Sequence, residues 1–342
     1  MSLNEDREYC RKALPEVSRT FAISIGRLPE PKDLHIGVPY LLCRIPDTIE
    51  DAKHIPTEEK CRWLELYAEL LAKEERRVER IDEVLRRISV YRHDTPSWNL
   101  VANSRRVFRV LETFPSRVRR AVVGNLTEMV RGMREFIERH DNRIRIGTLE
   151  EFRRYCYFVA GTVGRLLTEI FETWYEWPSG LRGQLEEKAI LFGEALQSVN
   201  ILKDIYTDYH DEDSVYVPRD FLAPLGLSEP ETMFAVPGAA SEAVKRLIVH
   251  SKNCLEAARG YIRMLPAESV EAREFCIVPY LLALRTIHVI ERDVGAVLTP
   301  RGAKVSRGEV TLLLNSVPEC IRSNEYLEGI SSRALQERFL CA

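Results

Sequence analysis

The chain has 342 residues and a formal net charge of -3, with 49 Lys+Arg against 52 Asp+Glu. That near-neutral balance excludes a protein whose main task is gripping nucleic acid. With 45% hydrophobic and 30% charged residues, the composition is that of a soluble globular chain, neither disordered nor fibrous.

In chain order, apolar residues recur at three- and four-residue intervals in Glu59–Leu71, Glu75–Ile88, Pro115–Glu138, Leu149–Trp174, Gly183–Tyr209, Ser241–Met264 and Ala272–Val297. This periodicity predicts an amphipathic helix for each segment. The breaks carry turn residues, as in Pro29-Glu30-Pro31, Trp177-Pro178-Ser179-Gly180 and Pro237-Gly238. Thr148 followed by Glu151 reads as a capping box, and Thr57 before Glu58 and Glu59 reads as another helix start. Strand signals are nearly absent, and no repeat or linker divides the chain. The expected architecture is one all-α domain over residues 1–342, with roughly a dozen helices around one core.

Eight cysteines, at 10, 43, 61, 156, 254, 276, 320 and 341, include no CxxC and read as reduced thiols of a cytoplasmic protein. The acidic-polar start Met1–Arg7 does not read as a secretory signal. The most apolar run, Phe275–Leu284, stops at Arg285, far short of the ~20 residues of a membrane span. No nucleotide-binding glycine loop, zinc pair or serine-hydrolase elbow occurs. Gly161 and Gly164, inside a predicted helix, read as sites of close helix packing.

Two constellations carry chemistry. Asp47 and Asp51 sit four apart, so on a helix both carboxylates point the same way. Like charges at this spacing cost a few tenths of a kcal/mol, and oxygen-ligated Mg²⁺ would compensate. A solvated acidic helix end is the other reading. Further on, Gln197, Asn200, Asp204 and Asp208 draw one polar stripe, leaving Phe192, Val199, Leu202 and Ile205 for packing. Such a stripe of amides and aspartates suits Mg²⁺, whereas a solvated face usually mixes Lys with Glu. Two aspartate pairs on two helices imply a facing arrangement with cations between them and a diphosphate substrate. Pro46, directly before the first pair, should kink or restart its helix.

The sequence resembles the squalene/phytoene synthase family of head-to-head prenyltransferases. Ser18-Arg19-Thr20-Phe21 is similar to the family's SRxF segment, and Tyr40–Asp51 to its YxxxRxxDTxED motif. Tyr155–Gly164 resembles YCxxVAGxVG, and Gln197–Asp208 resembles QxxNIxxDxxxD. The resemblance implies an isoprenoid-synthase-type helical bundle with a central apolar cavity. It implies Mg²⁺ on Asp47, Asp51, Asp204 and Asp208, with Asn200 assisting. Ser18, Arg19, Phe21, Arg44 and Gln197 would bind substrate, the arginines neutralising diphosphate oxygens. Tyr155, with Arg44 and Tyr40, forms the implied catalytic set; read without the motif, Tyr155 is an ordinary buried tyrosine.

Within the family, Phe275–Pro279 and Ala303–Thr311 resemble the FCxxP and VKxRKG segments of the squalene-forming branch. That branch joins two farnesyl diphosphates through presqualene diphosphate and reduces the product with NADPH. Lys203, Lys304 and Arg307 are the implied cofactor-binding cations, against the alternative of a solvated basic loop. Ser306 stands where the family often has arginine, and Val215–Asp220 resembles the YxPxD segment of bacterial relatives, phytoene synthases among them. Phytoene or dehydrosqualene synthesis without reduction is therefore the second expectation, and an inactive helical scaffold the third. The C-terminal anchor of eukaryotic relatives is not expected here. The implied enzyme is cytoplasmic, with peripheral membrane contact for product release.

Overall fold

The computed structural model describes residues 2–18, 20–73, 77–227 and 229–336. Among the described residues the chain forms α-helices and short 3₁₀ turns, with a single isolated parallel bridge, Arg145 to Val215, as its only β pairing. The helices are α1 (Leu3–Val17), α2 (Thr20–Ile25), α3 (Lys32–Glu50), α4 (Thr57–Ala72), α5 (Arg77–Ile88), α6 (Pro96–Ala102), α7 (Ser104–Leu111) and α8 (Ser116–His140). They continue as α9 (Leu149–Cys156), α10 (Thr162–Glu172), α11 (Leu181–Glu212), α12 (Arg219–Leu222), α13 (Pro237–Met264), α14 (Val270–Arg292), α15 (Arg307–Arg322) and α16 (Asn324–Ala334). Glu75 and Arg76, at the start of the Glu75–Ile88 reading, lie outside the described residues. Each predicted helix is present over its described residues, with two local corrections. The expected Leu149–Trp174 helix is interrupted by a π turn, Tyr157–Gly161, between α9 and α10. The expected Ala272–Val297 helix ends at Arg292 and gives way to a 3₁₀ turn. Thr57 opens α4 as read, as its first helical residue; Pro56 holds the cap position, and the Thr57 hydroxyl donates to Asp141 Oδ1 at 2.8 Å.

Thr148 does cap α9, accepting from the Glu151 N–H at 3.0 Å. The Glu151 carboxylate reaches one residue further back than a capping box requires, to the Gly147 N–H at 2.7 Å.

The described residues group into two compact units. The first combines residues up to Asn142 with Arg165–Glu176. In it α1 packs on α3 and α7, and α4 packs on α8 and α5. Its core holds Leu41, Leu42, Ile45, Trp63, Tyr67, Phe108 and Phe136, each at most 1% exposed. Burying each such side chain contributes roughly 1.5–3 kcal/mol. The second unit combines Arg143–Gly164 with the residues from Trp177 on. Its axis is α11, 32 residues or about 48 Å long, packed on α13, α14 and the π turn. Two glycines set that packing. A Cβ on Gly193 would stand 2.2 Å from the Ala160 carbonyl oxygen, and one on Gly164 would stand 2.0 Å from that of Ala189. Backbone meets backbone there, so no other residue fits without movement.

Candidate functional site

The first set of chemistry-bearing side chains lies on α3. Tyr40, Arg44, Asp47 and Asp51 follow steps of four, three and four, the spacing that keeps residues on one helical face. Arg44 Nη1 makes a short ion pair with Asp47 Oδ2 and stands 4.0 Å from Asp51 Oδ2. Attraction from Asp47, against the opposing effect of burial, raises the guanidinium's pKa above its ordinary value. Its Nε is buried with no hydrogen-bond partner among the described residues. Ligand oxygens of Asp47, Glu50 and Asp51 lie within 4.8 Å of one another. This donor set is all carboxylate, the kind that hard divalent cations such as Mg²⁺ take. Glu50 was missed in the sequence, although its place three residues after Asp47 was a usable signal.

Around Tyr40, the Ser18 hydroxyl accepts from the Phe21 N–H at 3.1 Å, and the Phe21 and Tyr40 rings stand 5.5 Å apart. Burial pushes the Tyr40 phenol up, and its hydrogen bond with Ser18 opposes that shift. Ser18, Phe21, Tyr40 and Arg44 are thus brought together, while Arg19 lies outside the described residues.

Pro46 does not break the helix: α3 runs through it to Glu50, contrary to the expected kink or restart. Proline has no N–H for the carbonyl four residues back, that of Leu42. Tyr67 on α4, fully buried, donates its hydroxyl to that carbonyl at 3.0 Å. Thr48 Oγ donates to the Arg44 carbonyl at 2.8 Å within the same turn. At the end of α3, the buried Lys60 ammonium donates to the Glu50 carbonyl and to Asn142 Oδ1. Two buried side chains of α4 therefore fix the turns that present Asp47 and Asp51.

The second set lies on α9 and α11. Gln197, Asp204 and Asp208 are half-buried and Asn200 is exposed, whereas Phe192, Val199, Leu202 and Ile205 are at most 7% exposed. The stripe and its packing face are as the spacing predicts. Lys203 Nζ stands 2.7 Å from Asp204 Oδ2 and 3.2 Å from Asn200 Oδ1, so one positive charge already rests on these oxygens. On α9, Tyr155 is buried and its hydroxyl donates to the Tyr216 hydroxyl at 3.2 Å, the rings 4.9 Å apart. Tyr216 was missed as a site residue: it is 61 positions away, and its place as the tyrosine of the YxPxD-like segment was the usable signal.

Lys304 is exposed in the loop before α15, and Arg307 is exposed at the first helical position. Ser306 caps α15 in a reciprocal box with Glu309 (3.3 Å and 2.8 Å), and Glu309 is also ion-paired to the buried Arg285. Phe275, Cys276 and Pro279 are buried in α14 as core.

A sequence profile of squalene/phytoene synthases matches residues 14–309. The chain belongs to the squalene/phytoene synthase family. The squalene synthase of Homo sapiens is 25% identical over 332 residues, covering 92% of this chain and 70% of that protein. The squalene synthase of Dictyostelium discoideum is 26% identical over 320 residues, covering 91% and 70%. Among solved structures, a ligand complex of TcSQS superposes with a TM-score of 0.77 at 20% identity, over 98% of each chain. A ligand complex of a dehydrosqualene synthase gives 0.64 at 19% identity, over 94% of this chain and 98% of that one. At such identities the structural likenesses speak for the all-helical family fold.

Proposed function

We propose that the chain joins two farnesyl diphosphates head to head into presqualene diphosphate and reduces that intermediate with NADPH to squalene. The observation that carries the reading is the α3 face, where Asp47 and Asp51 lie beside an arginine whose buried Nε has no acceptor among the described residues. Carboxylate oxygens with a cationic fork beside them suit a diphosphate and the divalent ions that accompany it.

Asp47 and Asp51 on α3, and Asn200, Asp204 and Asp208 on α11, would hold Mg²⁺. Bound there, Mg²⁺ supplies Lewis-acid stabilisation of the diphosphate as it leaves. Arg44 offers its unsatisfied Nε–H to a diphosphate oxygen. Ser18, Phe21 and Tyr40 shape the approach to Arg44, and Gln197 adds an amide at the head of the second stripe. Tyr155 and Tyr216 hold one proton between two oxygens in a buried place, which suits the Tyr155 oxygen to stabilise a carbocation or take its proton. Lys203 and a metal ion compete for the oxygens of Asp204. With the ion on Asp204, Lys203 would be left to pair with a phosphate oxygen.

NADPH supplies a hydride when bound. Lys304 and Arg307 would hold its phosphates, since both are exposed and without an ion-pair partner among the described residues. One observation favours a second reading, phytoene or dehydrosqualene synthesis without reductant: Ser306 serves as a helix cap and brings no cation to that segment. No described helix is long and apolar enough to cross a membrane. A cytoplasmic enzyme meeting the membrane peripherally to release its hydrocarbon fits this reading.

The test is to incubate the purified protein with Mg²⁺ and farnesyl or geranylgeranyl diphosphate, with and without NADPH, and identify the hydrocarbons. Squalene formed only with NADPH supports the proposal. Dehydrosqualene or phytoene formed regardless of NADPH replaces it with the second reading. Absence of Mg²⁺-dependent diphosphate release overturns both and leaves the inactive scaffold.

A further inference from the structure

We propose that Glu194, His250 and Cys254 form a binding site for a borderline-soft divalent cation of the zinc class, separate from the carboxylate sets above. Glu194 lies on α11 and is 3% exposed; His250 and Cys254 lie one turn apart on α13, with Cys254 4% exposed. His250 Nε2 stands 2.7 Å from Glu194 Oε1 and 3.6 Å from Cys254 Sγ, and the three ligand atoms all fall within 4.8 Å of one another.

A nucleophilic triad does not fit this geometry. In a triad the imidazole uses its two nitrogens to connect nucleophile and carboxylate. Here the same nitrogen, Nε2, faces both groups. Three donors converging on one point, one each of sulfur, nitrogen and oxygen, match the ligand set of zinc, and Mg²⁺ has no use for the thiolate. The thiol without metal is a poor nucleophile, since burial and then the Glu194 charge push Cys254 up to about 12. A cation reverses that balance by neutralising the thiolate and the carboxylate together. Binding an ion as thiolate releases the Cys254 proton.

The surroundings supply the remaining parts. Phe152 sets its ring edge-on against His250 with centroids 5.9 Å apart, walling off one side. Cys156 on α9 is fully buried; burial, and then the charges of Glu194 and Cys254, push its thiol far up, so it adds a neutral thiol, not a charge, to the surroundings. Arg153 Nε is 3.3 Å from Glu194 Oε1, and its half-exposed guanidinium has solvent to turn into. An ion here would tie α11 to α13.

The test uses the full chain stripped of metal and held in saturating Mg²⁺. Zn²⁺ is titrated against a chromophoric chelator, and Co²⁺ is titrated separately for its sulfur-to-metal charge-transfer band. The expected result is one equivalent of Zn²⁺, a sulfur band with Co²⁺ and a higher melting temperature. Cys254→Ser should abolish the band, and His250→Gln should weaken Zn²⁺ binding by at least about a hundredfold. Should either variant unfold by circular dichroism, the wild type still decides: Zn²⁺ must slow alkylation of Cys254, mapped by mass spectrometry. Absence of a sulfur band, unprotected Cys254 or unchanged Zn²⁺ binding in folded Cys254→Ser would overturn the proposal. So would loss of Zn²⁺ in His54→Gln, because the exposed His54 and His93 rings, Nε2 to Nε2 3.1 Å, are the competing trap.

Discussion

α3 and α11 each present aspartates four residues apart, yet the two helices are supported in different ways. α3 contains Pro46 immediately before its acidic turn and is repaired from outside, by Tyr67 at the Leu42 carbonyl and Lys60 at the Glu50 carbonyl. Its charge partner is Arg44, from the same face. α11 has no proline and needs no repair; it is located by contact of its backbone at Ala189 and Gly193 with Gly164 and Ala160. Its acidic stripe is neutralised by Lys203, a neighbour in sequence and half exposed. The contrast separates two ways of holding like charges close: fixed buried donors on one helix, and a movable ammonium on a rigidly packed other.

The largest expected effect tests whether the two helices are equally necessary. Asp47→Asn and Asp204→Asn should each lower kcat by at least about a thousandfold, the several kcal/mol a catalytic metal supplies, with helical content and melting nearly unchanged. Near wild-type diphosphate release from either variant at saturating Mg²⁺ would remove that helix from the metal assignment. Next, Tyr155→Phe should slow turnover by about a hundredfold with little change in KM, as for a lost proton-transfer group. A raised KM at unchanged kcat would make the hydroxyl a binding group instead.

The supports themselves come third and fourth. Gly193→Ala drives a Cβ into a backbone carbonyl and should cost about 3 kcal/mol, read as a fall in denaturation midpoint. Gly124→Ala on α8, where a Cβ meets nothing within 4 Å, should instead gain about 0.5–1 kcal/mol. Tyr67→Phe leaves the Leu42 carbonyl buried without its donor and should cost about 1–3 kcal/mol. It should also raise the Mg²⁺ concentration for half-maximal activity, which a merely structural role would leave alone. The smallest effect belongs to the movable partner. Lys203→Ala removes a half-exposed competitor and should lower that Mg²⁺ midpoint by up to about fivefold, the equivalent of an exposed ion pair. A higher midpoint would mean that Lys203 assists the site instead of competing with it.

Much of this was legible in the sequence because it is local. The Tyr40–Arg44–Asp47–Asp51 face and the Gln197–Asp208 stripe follow from spacing on a helix, and the buried complement Phe192, Val199, Leu202 and Ile205 follows from the same count. The features that escaped depend on partners distant in sequence. Pro46 announced a missing hydrogen bond, but its remedy is a hydroxyl 25 residues from Leu42 that seeks a backbone oxygen, which leaves no side-chain pattern. Tyr216 pairs with Tyr155 across 61 residues, and a tyrosine by itself does not say where its hydroxyl goes. Thr57 opens α4 as the sequence suggests, but the partner of its hydroxyl, Asp141 at the far end of α8, lies 84 residues away. Ser306 shows the reverse case. A position read for a missing charge proves to be a cap, and the Ser-x-x-Glu pattern announcing it was present at Ser306 and Glu309.

The π turn at Tyr157–Gly161 has a consequence for angular phase. Nine steps separate Tyr155 from Gly164, and at about 100° each an unbroken α-helix would set them half a turn apart. A π turn absorbs one extra residue, so the effective separation is eight steps and the offset falls to about 80°. That smaller offset orients the tyrosine while Gly164 keeps its backbone contact with α11. The extra residue acts as a spacer that can be withdrawn without rotating the α10 residues beyond it. Deleting Val159 should therefore turn the segment into ordinary α-helix with both ends still in phase, whereas the same deletion within α8 would swing every later side chain of that helix by about 100°.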